Sequence, residues 1–270
     1  RIPIVHIAGG EISEGAVDDS IRHAITKMSA LHLVATEPYR RRVIGMGEEP
    51  SRVINTGAIG VYNIMHEPLM SLDELESSIG MRLGDKALLV TYHPVTLDTP
   101  GFTPTMRVEA LLDAISRFPD RKVIITYPNN DPAGREIIPL IEAYGRENPD
   151  RVRVIPSLGK RRYLSALKYV GAVVGNSSSG IVEVPSMRIP TVNVGIRQRG
   201  RLASQSVINC GDTPDEIASA ISYALSDEGQ QMARRAENPY ARPDTLGVMV
   251  KAIAETPLET LHNKKFYDGI

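Results

Sequence analysis

Residues 173–201 read VVGNSSSGIVEVPSMRIPTVNVGIRQRGR, and the fold follows from how that stretch divides. Ala172–Gly175 is short and apolar throughout, and Asn176-Ser177-Ser178-Ser179-Gly180 is small and polar. A segment of helical period follows, then a second apolar run, Thr191–Val194. This is a strand, a loop, a helix and a second strand, with strands covered on both faces. The pattern extends in both directions. Further strands are expected at Ile2–Ile7, Leu31–Thr36, Arg52–Asn55, Ala87–Tyr92, Lys122–Tyr127, Val152–Ile155 and Ser206–Asn209. Helical segments fall between them at Asp18–Ser29, Pro38–Gly45, Met106–Phe118, Gly134–Gly145, Arg161–Tyr169 and Pro214–Leu225. Such alternation predicts an α/β protein with parallel sheets and helices on both faces.

Ser71-Leu72-Asp73-Glu74 and Thr213-Pro214-Asp215-Glu216 both have capping-box chemistry at a helix start. The first follows Pro68 and precedes a fresh strand, so it marks a boundary. The expected organisation is part of a first domain at 1–70, a second domain at 71–240, and a C-terminal helix within 241–270 that packs back on the first domain. The opening apolar run, RIPIVHIAGGE, reads as a buried strand inside a larger domain.

Composition narrows the function. The formal net charge is −1, which argues against a protein that coats nucleic acid or an anionic membrane. Cys210 is the one cysteine, so no internal disulfide is possible. No Cys/His cluster has metal-ligand spacing, and no run is apolar enough to span a bilayer. A cytoplasmic protein without metal, membrane or nucleic-acid partner is expected.

In open α/β sheets ligands bind beyond the carboxyl ends of the strands, so the loops there carry the candidates. The first loop has His6 at a strand end, a Gly9-Gly10 turn and Glu11, then Asp18, Asp19, Arg22 and His23 opening a helix. Asp18 and Arg22, four apart, would ordinarily be a surface ion pair. The clustering of acids and histidines beside a tight turn favours proton-transfer chemistry instead. The second loop offers His93 before Pro94, as apt to touch a ligand as to be a turn residue. Asn129 and Asp131 in the third have turn and cap chemistry, and alone argue for no ligand. In the fourth, Ser177, Ser178 and Gly180 open a helix where backbone N–H groups can approach phosphate. Glu183 follows, able to accept hydrogen bonds from a ribose diol. Arg197, Arg199 and Arg201 stand where they can face a diphosphate or a carboxylate.

Taken together, HIAGGEISEGAVDDSIRHAITK (6–27), YHPVT (92–96), YPNND (127–131), GNSSSGIVEV (175–184) and VGIRQRGR (194–201) resemble the hydrolysing UDP-N-acetylglucosamine 2-epimerases of sialic-acid-type pathways. The resemblance implies a GT-B-like architecture of two Rossmann-like domains facing a cleft, the first incomplete here. It implies elimination of UDP to a glycal and rehydration to N-acetylmannosamine, with no cofactor, and a homodimer. Glu11, Asp18 and Asp19 would supply base and acid, and Arg22 would hold a carboxylate or the diphosphate. His93, Ser177 and Ser178 would contact phosphate, Glu183 the ribose, and His6, Asn129, Asp131, Gly180 and Arg197 would line the ligand site. The chain has Ala8 where some relatives carry a catalytic glutamate, which shifts that role to a neighbour such as Glu11. Family members also begin several strand–helix units earlier. Residues 1–270 alone are therefore expected to bind UDP weakly and to lack turnover. Alternatives are the same reaction on UDP-N,N'-diacetylbacillosamine, a non-hydrolysing epimerase, a GT-B glycosyltransferase and a binding module without chemistry. The HIAGGE and DDSIRH motifs favour hydrolysis over the non-hydrolysing type.

Overall fold

The computed structural model describes residues 2–13, 18–95, 103–129 and 133–269, the Asp18 side chain excepted. Two parallel sheets organise them. The first has the order β1(Val5–Ile7), β2(Leu31–Val34), β3(Val53–Asn55). The second has six strands in the order β6(Val152–Ile155), β5(Val123–Thr126), β4(Ala87–Thr91), β7(Val170–Gly175), β8(Thr191–Val194), β9(Val207–Cys210). Strand order in the second sheet reverses between β4 and β7. A crevice opens beyond their carboxyl ends at that switch, and it is where such folds take ligands. With the neighbours described below, this is a GT-B-like fold.

Helices connect the strands: α1(Asp18–Met28), α2(Glu37–Gly45), α3(Ile59–His66), α4(Leu72–Ile79), α5(Pro104–Ser116), α6(Gly134–Glu147), α7(Gly159–Tyr169), α8(Ser178–Val182), α9(Pro214–Leu225), α10(Asp227–Arg235) and α11(Thr245–Glu255). Both capping boxes form. Ser71 and Thr213 accept from the backbone N–H of Glu74 and Glu216, and each glutamate reaches back to the cap. Such caps typically contribute ~1 kcal/mol.

The apolar strands bury because helices cover both faces of the second sheet. Leu88, Val90, Val174 and Val192 pack against α5, α6 and α9, while Leu89, Ile124 and Val173 pack against α4 and α7. A third cluster joins the sheets: Val34, Tyr39 and Val43 meet Ile181 and Tyr240. Met249 of α11 packs with Ala30, Leu31 and Leu33 beside the first sheet. Among the described residues no helix is long and apolar enough to cross a membrane.

One expectation fails at the amino end. The strand read over Ile2–Ile7 as buried is only Val5–Ile7, and Ile2 is 93% exposed, with Ile4 and Ile7 also open to solvent. β1 lies at the edge of its sheet, so nothing among the described residues covers that side.

Candidate active site

The Gly-Gly loop leaves β1 and is fastened to α2 from below. Ala8 donates its N–H to Leu33 O, and Arg42 donates to Gly10 O. Gly10 has φ +79°, and a Cβ there would come within 2.6 Å of Tyr39 O, so the turn requires glycine. Glu11 follows and is buried. Its Oε2 meets Arg201 Nη2 at 3.0 Å, and the two side chains are only 10% and 9% exposed. Arg201 Nε also donates to Ser13 Oγ at 3.1 Å, while Arg22 donates to the same hydroxyl and to Glu11 O.

Asp19 and His6 sit behind this loop. Asp19 accepts from Ser13 N–H at 2.7 Å and lies 3.7 Å from Arg22 and 3.4 Å from His23. His6 Nδ1 shares a 3.1 Å hydrogen bond with Thr26 Oγ1. Burial, then the neighbouring His32, Arg22 and His23, lower the His6 pKa to about 4, so the ring is neutral at pH 7. His32 stands edge-on to His6 and bonds Glu48 at 2.9 Å. Burial opposes ionisation of Glu48, but hydrogen bonds from Lys264 and Lys27 outweigh it and hold its carboxyl below the ordinary range.

Across the crevice, His93 follows β4 and Asn176 follows β7. Asn176 is fully buried and clamps His93 at both backbone atoms, accepting from its N–H and donating to its carbonyl, each at 2.7 Å. Asn129 donates its backbone N–H to His93 Nδ1 at 3.0 Å, and its side-chain Oδ1 lies at the same distance from that nitrogen. Arg197 and Gln198 both donate to Asn176 O, at 3.2 and 2.8 Å. Ser177 caps α8, and Tyr163 holds Ser179 through a 2.6 Å hydroxyl–hydroxyl bond.

Two adjoining cavities collect these groups. One, of about 220 Å³, is lined by Ala8, Glu11, Ser178 and Glu183. The other, of about 380 Å³, is lined by Thr91, His93, Lys160, Tyr163, Ser177 and Glu183. Gly60 and Glu183 belong to both, forming a shared wall. A Cβ on Gly60 would collide with the Glu183 carboxylate, so glycine there permits the wall. A larger cavity of about 1000 Å³ beyond β8 and β9 is lined by Arg199 and Arg201 but by none of the other expected site residues.

Glu11, His93, Ser177, Ser178 and Glu183 therefore line two adjoining cavities that share the Gly60–Glu183 wall. Asn129 and Arg197 support that region through His93 and Asn176, while His6, Asp19 and Arg22 lie behind the Gly-Gly loop. Gly180 is buried against β8: a Cβ would come within 2.7 Å of Thr191, and its N–H bonds Ser177 O. Its role there is close packing. Asp131 and the Asp18 side chain lie outside the described residues. Sequence reasoning missed Asn176, Ser13 and Gly60 as site-building residues. Asn176 carried a signal, because an amide ending an apolar strand must find buried partners. Ser13 and Gly60 carried none.

Residues 1–254 match the family model described as UDP-N-acetylglucosamine 2-epimerase. The chain is 38% identical over 209 residues to a GDP/UDP-N,N'-diacetylbacillosamine 2-epimerase (hydrolyzing) from Campylobacter jejuni, covering 77% of this chain and 54% of that protein. It is 35% identical over 270 residues to polysialic acid biosynthesis protein P7 from Escherichia coli, covering 99% of this chain and 68% of that protein. The chain thus spans about half to two thirds of these relatives' length. Its fold superposes on UDP-GlcNAc 2-epimerase from Neisseria meningitidis bound to UDP-GlcNAc with a TM-score of 0.73 at 15% identity, covering 94% of this chain and 70% of that one. The chain belongs to the UDP-N-acetylglucosamine 2-epimerase family.

Proposed function

We propose that the full-length protein is a hydrolysing 2-epimerase that converts UDP-N-acetylglucosamine to N-acetylmannosamine and UDP. The observation that carries this reading is the pair of cavities meeting at Glu183. A carboxylate of the Gly-Gly loop stands on one side and the His93–Ser177 surface on the other. A sugar nucleotide has two such ends, a neutral ring whose C2–H must be attacked and a diphosphate that must be held.

The chemistry balances in two steps. A base removes the C2 proton, the C1–O bond to UDP breaks, and a glycal forms. Water then adds its hydroxyl to C1 and a proton returns to C2 from the opposite face. Glu11 is the base in this reading, because it lines the cavity and Asp19 does not. His93 and the Ser177 and Ser178 region receive the diphosphate, with Arg197 close behind. Glu183 accepts from the ribose diol.

The relative described as a hydrolysing diacetylbacillosamine 2-epimerase supports a second substrate, UDP-N,N'-diacetylbacillosamine. The test is proton NMR in D2O of full-length protein with each UDP-sugar and no acceptor. Free 2-epimer carrying deuterium at C2, with UDP released, is expected from one of them. A UDP-linked 2-epimer would instead mean a non-hydrolysing enzyme, and no turnover without an acceptor would favour a glycosyltransferase.

A further inference from the structure

The Glu11–Arg201 ion pair joins a loop of the first sheet to a loop of the second. A buried pair adds little net stability, because desolvation offsets most of the Coulomb attraction. Its place in a cavity wall calls for another role. Arg201 engages Glu11 Oε2 at 3.0 Å and Ser13 Oγ at 3.1 Å, so the guanidinium fixes both the carboxylate and the loop that bears it.

Arg201 is itself held. Tyr39 Oη accepts from Leu202 N–H at 3.0 Å and bonds Tyr240 Oη at 2.7 Å, and Tyr240 Oη donates to Leu202 O at 2.7 Å. Two buried hydroxyls thus grip both backbone atoms of the residue next to Arg201. Arg42 of the same helix as Tyr39 donates to Gly10 O, next to Glu11. One helix, α2, therefore sets the height of both partners.

We propose that Arg201 is a positioning residue that aims the Glu11 carboxylate into the cavity it shares with Ser178 and Glu183, with the Tyr39–Tyr240 hydroxyl pair holding Arg201 in register. The inference rests on Glu11 acting as the base. With Oε2 fixed, Oε1 is the oxygen that takes the proton. Arg201 acts through Glu11 and not on the substrate.

A double-mutant cycle on full-length protein tests this, with kcat and KM measured beside thermal melts. Glu11→Gln is expected to lower kcat by ~100-fold or more. Arg201→Gln is expected to lower kcat by about 100-fold, as displaced catalytic groups do, with KM changed less than about threefold. The double variant is expected to match Glu11→Gln alone, because Arg201 has nothing left to aim. Arg201→Lys and guanidinium added to Arg201→Ala should each restore part of kcat. Tyr240→Phe, a milder change should the arginine variants fold poorly, is expected to lower kcat by roughly tenfold without raising KM. Full activity in Glu11→Gln would defeat the reading of Glu11 itself. A normal Glu11→Gln loss with multiplicative losses in the double variant, or with a KM effect dominating Arg201→Gln, would defeat the role given to Arg201 alone. A kcat unchanged in Tyr240→Phe would defeat the part given to the hydroxyl pair.

Discussion

His6 shows how much a single side chain can disclose. Its place at a strand end was legible in sequence; its neutrality depends on burial and on Arg22, His23 and His32, which only the folded chain assembles. The pH consequence follows from the sign of the shift. With a folded pKa of about 4 against an ordinary 6.5, the unfolded chain binds the extra proton first. Stability conferred by neutral His6 is complete above pH 6.5 and falls as pH drops towards 4. Melting temperatures from pH 7 to 4 should therefore decline less steeply for His6→Asn than for the wild type. Equal slopes would mean that the ring is solvated in the folded state. The Glu11–Arg201 pair marks the limit of sequence reading at this scale. The basic run 197–201 announced that a carboxylate or phosphate was near, but its partner lies 190 positions away and no local pattern names it.

Among the elements, all nine strands of the described residues were visible, because runs such as Leu88–Val90 and Val173–Val174 have no polar face to confuse the period. Two helices escaped notice for different reasons. α3 starts after Ala58 with no capping side chain, whereas α10 has a cap in Ser226, but the same residue ends α9, so no loop separates the two helices. Missing α3 meant missing Gly60, which stands in its first turn against Glu183. Gly60→Ala tests that contact. The added methyl must push the Glu183 carboxylate aside, while alanine suits a helix better than glycine by ~1 kcal/mol. UDP affinity measured by calorimetry is expected to fall about tenfold, the worth of one charge-assisted hydrogen bond. The melting temperature should hold or rise, and unchanged affinity would remove Glu183 from the binding surface.

For the whole molecule, the carboxyl-terminal segment ties the first sheet together from outside. Lys264 Nζ donates to the carbonyls of Thr26, Lys27 and Ser29 at the end of α1, and meets Glu48 at 2.7 Å. Phe266 packs beside Gly47 and under the Lys27 ammonium. Nothing in the sequence links position 264 to position 27, since the join is made by chain return and not by period. Lys264→Met should cost ~3 kcal/mol by leaving a buried carboxylate short of a partner. Denaturant melts at pH 7 would measure it. The deficit should shrink as pH falls through the depressed Glu48 pKa, because a protonated Glu48 no longer needs the ammonium. A deficit independent of pH would assign Lys264's worth to the helix carbonyls instead.

The partition built by Gly60 and Glu183 has a consequence for affinity. Compartments divided by one carboxylate reward a bipartite guest: once either half is seated, the other arrives at high effective concentration. Severed halves forfeit that chelate advantage, however well each fits its own chamber.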